Sequence, residues 1–239
     1  MESTSYGAAS ARSVDGGRGV AWWSEGWALF MKNAGVNVVI SLILCVITVV
    51  LSVIPLIGGL ALSLLFPVFI GSWMLIARKL EGGGTPEIGD LFLGFKEKLT
   101  PLITLGGLVL VATIVMMVVF FVLGAGAVFG GMGGGRGGAM AGFGAVMLMG
   151  LIGLVFGFIV GLALFYAPAL VVFQDMPAID AMKASFAAGL KNIIAFVIFG
   201  VLYFIAAIVA SIPLGLGWLV LIPVLMFAAY RSYLDVFGR

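Results

Sequence analysis

Between Lys32 and Arg78 the chain runs 45 residues without a charged side chain, broken only by the turn-like "VIPLIGG" at 53–59. A helix needs about 20 apolar residues to cross the hydrocarbon of a bilayer, so this stretch predicts two spans joined by a tight turn. The 39 uncharged residues between Lys191 and Arg231 repeat the arrangement, with "SIPLGLG" at 211–217. A further 37 uncharged residues separate Lys98 from Arg136, and 38 separate Arg136 from Asp175. Each supplies one span with residues to spare. The charges therefore mark six spans, near 36–54, 56–77, 101–124, 145–171, 193–212 and 214–230, and the fold class they predict is an all-α integral membrane protein.

Composition narrows the chemistry. Apolar residues make up 63% of the chain and charged residues 9%, against roughly 45–50% and about 25% in a soluble domain. With no His and a single Cys, a Ser-His-Asp triad, a His/Cys metal site and an internal disulfide are all excluded. No cofactor is expected, and a net charge of +2 is too small to suggest nucleic acid. Residues 1–18 are polar and glycine-dotted and lack the apolar core of a secretory signal. They are expected to form a disordered cytoplasmic tail, with 19–239 as the membrane domain. Lys and Arg favour the cytoplasmic side. Placing both termini inside puts every basic residue except Arg136, and all ten acids, on that side.

The spans fall into an apparent threefold pseudo-repeat: an amphipathic helix, then two spans, the second with a proline. Trp23, Trp27 and Phe30 share a helical face in the first copy. Ile88, Leu91, Phe92, Phe95 and Leu99 share one in the second, and Ile179, Met182, Phe186 and Leu190 in the third. Such helices are expected to lie in the headgroup plane. Trp22, Trp23, Trp27, Phe92, Phe95 and Phe186 are the candidate interfacial anchors. Pro67, Pro168 and Pro223 occupy the second span of each copy, and an acid follows each span in "RKLE", "VFQD" and "SYLD". Two readings of these prolines stand: kinks that help three hairpins pack, or a ring around a midplane substrate cavity. No span contains a charged residue of the kind that marks ion-coupled transport.

The surplus in the middle pair is glycine. Gly133, Gly135 and Gly138 fit a dinucleotide-binding spacing, but the next acid is Asp175, a whole span away, and no strand-to-helix context surrounds them. Residues 125–144 are instead expected to be a flexible external loop. Gly153, Gly157 and Gly161, four apart, are expected to form a close-packing stripe. Met116, Met117, Met132, Met140, Met147 and Met149 are irregularly spaced and read as apolar filler, not as a copper site. Hydroxyls inside the spans, Ser41, Thr48, Ser72 and Thr113 among them, are expected to bond backbone carbonyls or a facing helix.

"YAPALVVFQDMPAIDAMKASFAAGLKN" at 166–192 resembles a broad group of multi-pass bacterial inner-membrane proteins. In these a proline-bearing span is followed by an acid, an A-x-x-x-S amphipathic helix and an Asn that opens the next span. The group includes the membrane domain attached to some glycerophosphodiester phosphodiesterases. "GRGVAWWSEGWALFMKN" at 17–33 looks like the start of a proteobacterial branch of uncharacterised membrane proteins. The resemblance implies a bacterial inner-membrane location and a six-span fold, and it carries no catalytic residue. The expected role is non-enzymatic: a scaffold or accessory subunit meeting protein or lipid partners at the cytoplasmic face. The partners would be the lipid bilayer and either another membrane protein or a second copy of the chain. The alternative is a permease-like carrier of an uncharged or lipidic substrate.

Overall fold

The computed structural model describes residues 11–131 and 136–238, and among these the regular structure is entirely helical. The order is α1 (Arg18–Met31), α2 (Ala34–Ser52), α3 (Ile57–Glu81), a 3-10 turn (Ile88–Phe92), α4 (Leu93–Glu97), α5 (Leu99–Gly131), α6 (Arg136–Phe165), α7 (Ala167–Gln174), α8 (Ala178–Lys191), α9 (Ile193–Ser211) and α10 (Trp218–Phe237). Six segments are long and apolar enough to cross a membrane: α2, α3, α5, the run through α6 and α7, α9 and α10. The chain is a multi-pass all-α membrane protein.

The spans lie where the uncharged stretches place them, but α3 and α10 run further, to Glu81 and Phe237, and carry charged residues in their last turns. Backbone groups at a membrane boundary are best satisfied inside the helix, so these helices do not stop where the charges begin.

The glycine-rich segment corrects the expected loop. Residues 125–131 and 136–144 are helical, as extensions of α5 and α6, and residues 132–135 lie outside the described residues. Glycine costs a helix only about 1 kcal/mol per residue, and extending a helix already formed needs no new nucleus. Helix therefore prevails over coil.

The proposed disordered tail is also revised. Residues 1–10 lie outside the described residues, but 11–17 are docked. The Arg12 N–H donates to the Val236 carbonyl at 2.7 Å and the Val14 N–H to Asn192 Oδ1 at 2.8 Å. Asn192 Nδ2 donates back to the Arg12 carbonyl at 2.9 Å, and Lys191 Nζ to the Ala11 carbonyl at 2.6 Å. Composition suggested solvated chain, but four backbone groups of this segment find partners at the end of α8, at Asn192 and at the end of α10.

Two compact units can be distinguished. The first comprises residues up to Gly106 and from Leu162 onward, and the second is Gly107–Gly161. In the first unit α10 is central, packed against α1, α2, α3 and α9. Trp73 of α3 meets Phe227 of α10 edge to face with ring centroids 5.6 Å apart. Lys32, just before α2, donates to the Leu80 carbonyl near the end of α3 at 3.0 Å, so the first hairpin closes on itself. Lys98, just before α5, pairs with Asp175, just after α7. Both pairings lie with the 11–17 strap at one charged end of the unit. In the second unit Phe120 of α5 lies against Gly153 of α6, where an added Cβ would come within 3.2 Å of its ring.

The expected glycine stripe does not pack as predicted, because no described atom lies within 4 Å of a Cβ built at Gly157 or Gly161. Close approach occurs on α1 instead. A Cβ on Gly19 would sit 2.4 Å from the Ala195 carbonyl oxygen of α9, and one on Gly26 would sit 2.6 Å from the Ala228 nitrogen of α10. Only a residue without a side chain lets these backbones touch.

Candidate functional site

Charged residues from three helices converge at the charged end. Arg231 of α10 donates from Nε to Glu25 Oε2 of α1 at 2.9 Å and from Nη1 to Glu81 Oε1 of α3 at 2.5 Å. The Tyr230 hydroxyl donates to the other Glu81 oxygen at 2.6 Å. Arg18 of α1 reaches Asp235 of α10, Nε to Oδ2 at 2.5 Å, and also pairs with Glu25 at 2.8 Å. The Trp22 indole N–H donates to the same Asp235 oxygen at 2.7 Å. Each guanidinium therefore ties two carboxylates, and each carboxylate is held by at least two donors. Burial works against the charge on Arg18, but the hydrogen bond and charge of Asp235, with Glu25 adding, hold its pKa above the usual value.

Beside this network a cavity of about 290 Å³ is lined by Arg12, Glu81, Arg231, Leu234, Asp235 and Gly238. Gly238 has φ +78°, and a Cβ there would lie 3.2 Å from Arg12 Nη2. A side chain there would press on the guanidinium, which lies across the end of α10.

The anchor residues divide. Trp22 is completely buried, with Phe196 and Phe199 edge to face around it, so it is a core residue and not a headgroup anchor. The apolar stripe that suggested the membrane surface faces α9 and α10. Trp23 is half-buried, stacked on Phe199 at 5.0 Å, with its N–H on the Phe199 carbonyl. Trp27 remains 49% exposed and Phe92 39%. Phe95 is half-buried against Phe69 at 5.2 Å, and Phe186 is half-buried.

Pro67, Pro168 and Pro223 are all buried, and none lines the cavity at the charged end. Pro67 leaves the Ser63 carbonyl without its helical donor. There α5 comes close, since a Cβ on Gly106 would be 2.7 Å from that oxygen. Pro168 follows a break at Tyr166 between α6 and α7. Ser185 of α8 bridges the break: its hydroxyl accepts the Tyr166 N–H at 2.9 Å and donates to the Leu162 carbonyl at 2.6 Å.

The span hydroxyls behave as expected, with Ser41, Thr48, Ser72 and Thr113 each donating to the carbonyl four residues back. Asp90 opens its helix in a capping box with Glu87 and accepts from Lys79 Nζ at 2.8 Å. In the sequence the acids show only as residues on one side of the spans. No local pattern announces that Glu25, Glu81 and Asp235 meet, because they come from three helices far apart in the chain.

The chain matches no protein-family model, and no curated protein or solved structure matches it.

Proposed function

We propose that this is a non-enzymatic scaffold or accessory subunit of a bacterial inner membrane, with both termini cytoplasmic, that recognises protein or lipid partners at the cytoplasmic face. One observation carries this reading: the short helices at the charged end bury one face in the protein and still turn apolar side chains outward. On α1 these are Val20, Trp27 and Met31, seven and four residues apart, and on α8 they are Ile179 and Leu190. Charged groups such as Lys183 and Asp180 lie exposed beside the second set. A surface mixing apolar and charged groups at headgroup depth suits a membrane-bound partner or the lipid interface itself. The carboxylates that could serve catalysis are held by arginines, which argues for an architectural role. The short–long–long helix order fits three pseudo-repeats, each offering one such helix.

Native mass spectrometry of protein released from its own membranes in lipid nanodiscs tests the proposal. A stoichiometric second polypeptide or a specifically retained lipid supports it. A chain that emerges alone and free of lipid, yet moves a solute in proteoliposomes, overturns it in favour of a carrier.

A further inference from the structure

We infer that the cavity at the end of α10 is a binding site for a phosphodiester headgroup that also carries a hydrogen-bond donor. The inference rests on the reading of this face as a recognition surface and names one of its ligands. The cavity is lined by two arginines and two acids, so the sum of its charges is uninformative, and what matters is which groups are already engaged. Glu81 has both oxygens occupied, by Arg231 and Tyr230. One oxygen of Asp235 is taken by Arg18 and Trp22. Among the described residues, the Arg12 guanidinium has no carboxylate within 4 Å and no side-chain hydrogen bond. Nη2 of Arg231 and Oδ1 of Asp235 are likewise without a partner among them.

Among the described residues the unspent groups are thus one whole guanidinium, one further N–H edge and one carboxylate oxygen. Guanidinium groups bind phosphate oxygens strongly and with fixed geometry, which assigns the anion to Arg12, with Arg231 assisting. The free Asp235 oxygen accepts a proton donor from the same ligand, as an ammonium or hydroxyl on the headgroup would provide. A choline headgroup offers neither. Leu234 gives the cavity an apolar wall. The cavity lies beside the last turns of α3 and α10, where two apolar spans end in charged residues, and lipid phosphates are met at the ends of spans.

The Arg12 backbone is held by its bond to Val236, and its guanidinium lies against Gly238. The site therefore exists only when the 11–17 segment is docked, and the ligand and the strap stabilise each other by linkage.

The test is phenylglyoxal modification of Arg12 in the full chain, followed by peptide mass spectrometry, in maltoside micelles doped with phosphatidylglycerol, phosphatidylethanolamine or phosphatidylcholine, or containing inorganic phosphate alone. Phosphatidylglycerol and phosphatidylethanolamine should slow modification about tenfold relative to phosphatidylcholine, the equivalent of roughly 1.4 kcal/mol. Protection by inorganic phosphate alone would support the same anion chemistry with a soluble source. Gly238→Ala should abolish protection while leaving Arg12 in the chain to be read, and Lys183→Gln, on the exposed face of α8, should leave it intact. Equal rates in all lipids and in phosphate would overturn the inference, as would full protection in Gly238→Ala. A stoichiometric polypeptide partner found alongside that failure would leave the recognition surface standing without this ligand.

Discussion

Ser185→Ala tests how the break between α6 and α7 is held. Ser185 is fully buried, and its hydroxyl links the Tyr166 N–H to the Leu162 carbonyl. In an unbroken helix those two groups, four residues apart, would bond directly. Removing the hydroxyl strands one donor and one acceptor. A buried unsatisfied group costs about 1–3 kcal/mol, whereas hydrogen bonds between helices in a bilayer average nearer ~0.6 kcal/mol. Two groups at the low end of the first range give an expected loss of about 2 kcal/mol, with a floor of ~1.2 kcal/mol from the bilayer average. The chain could recover this only by straightening. Pro168, two residues further on, opposes that because it lacks an N–H and its ring crowds the carbonyl four residues back. Ser185→Ala should therefore cost less than ~1 kcal/mol in a Pro168→Ala background, where the helix can close. The assay is reversible unfolding in maltoside micelles titrated with dodecyl sulfate, followed by far-UV circular dichroism and Trp fluorescence. Ser52→Ala, which removes an exposed bond to the carbonyl three residues back, serves as control and should stay within about 0.5 kcal/mol of wild type. A Ser185→Ala midpoint indistinguishable from that of Ser52→Ala would refute the bridge, and so would an equal cost in both proline backgrounds.

Gly26→Ala should destabilise by about 3 kcal/mol, because the new methyl meets backbone atoms of α10 that cannot step aside. The same change at Gly200, where nothing lies within 4 Å, should stabilise by roughly 0.5–1 kcal/mol, and both read out in the same titration. Arg231→Lys keeps the charge but cannot span Glu25 and Glu81 together; a loss of about 1–2 kcal/mol is expected, and a loss no larger than that of an exposed lysine substitution counts against the network. In a Cys45→Ala background, Ser13→Cys should react with an impermeant maleimide only from the cytoplasmic side and Leu214→Cys, in a turn residue 98% exposed, only from the other. Labelling of both from one side would reverse the hairpin reading. Replacing Pro67, Pro168 and Pro223 together with Ala should lower expression and stability, whereas intact assembly with a lost transport activity would point to the carrier.

The positions of the spans were legible because charge-free length is a direct measure of the membrane, and a single Lys or Arg in the wrong place is costly enough to be informative. The break at Tyr166 was only half legible. Pro168 signalled a discontinuity, but the serine that repairs it lies 19 residues away on α8, and no local pattern connects the two. The glycine-rich segment misled because Gly and loop go together in water. The cost of glycine in a helix, about 1 kcal/mol per residue, is small enough for helices already propagating from the spans to continue through it, and the same residues extend α5 and α6. The docked 11–17 strap was illegible for a related reason: its own part in the bonds to Lys191, Asn192 and Val236 is made by main-chain atoms, which composition does not record.

Trp22 and Trp27 show where sequence information about packing resides in such a chain. Both belong to one amphipathic helix, yet the first is completely buried and the second half exposed. In water, burial of an apolar side chain is favoured strongly enough for the stripe itself to mark the core. In a bilayer the lipid tails are as apolar as a facing helix, so an apolar residue gains little by choosing one over the other, and its pattern cannot tell them apart. The indole N–H can. Trp22 has Asp235 to receive it, and that donor is satisfied only at one place in the fold. By the same reasoning Ser185, Asn192 and the carboxylates of Glu25, Glu81 and Asp235 constrain the helix arrangement more than any leucine does. The close contacts at Gly19 and Gly26 constrain it as well, through the side chains they lack. A change that keeps hydropathy but removes one of these polar groups should therefore shift the packing of α1, whereas exchanging Val, Ile and Leu on the outward faces of α2 and α9 should leave the unfolding midpoint within about 0.5 kcal/mol.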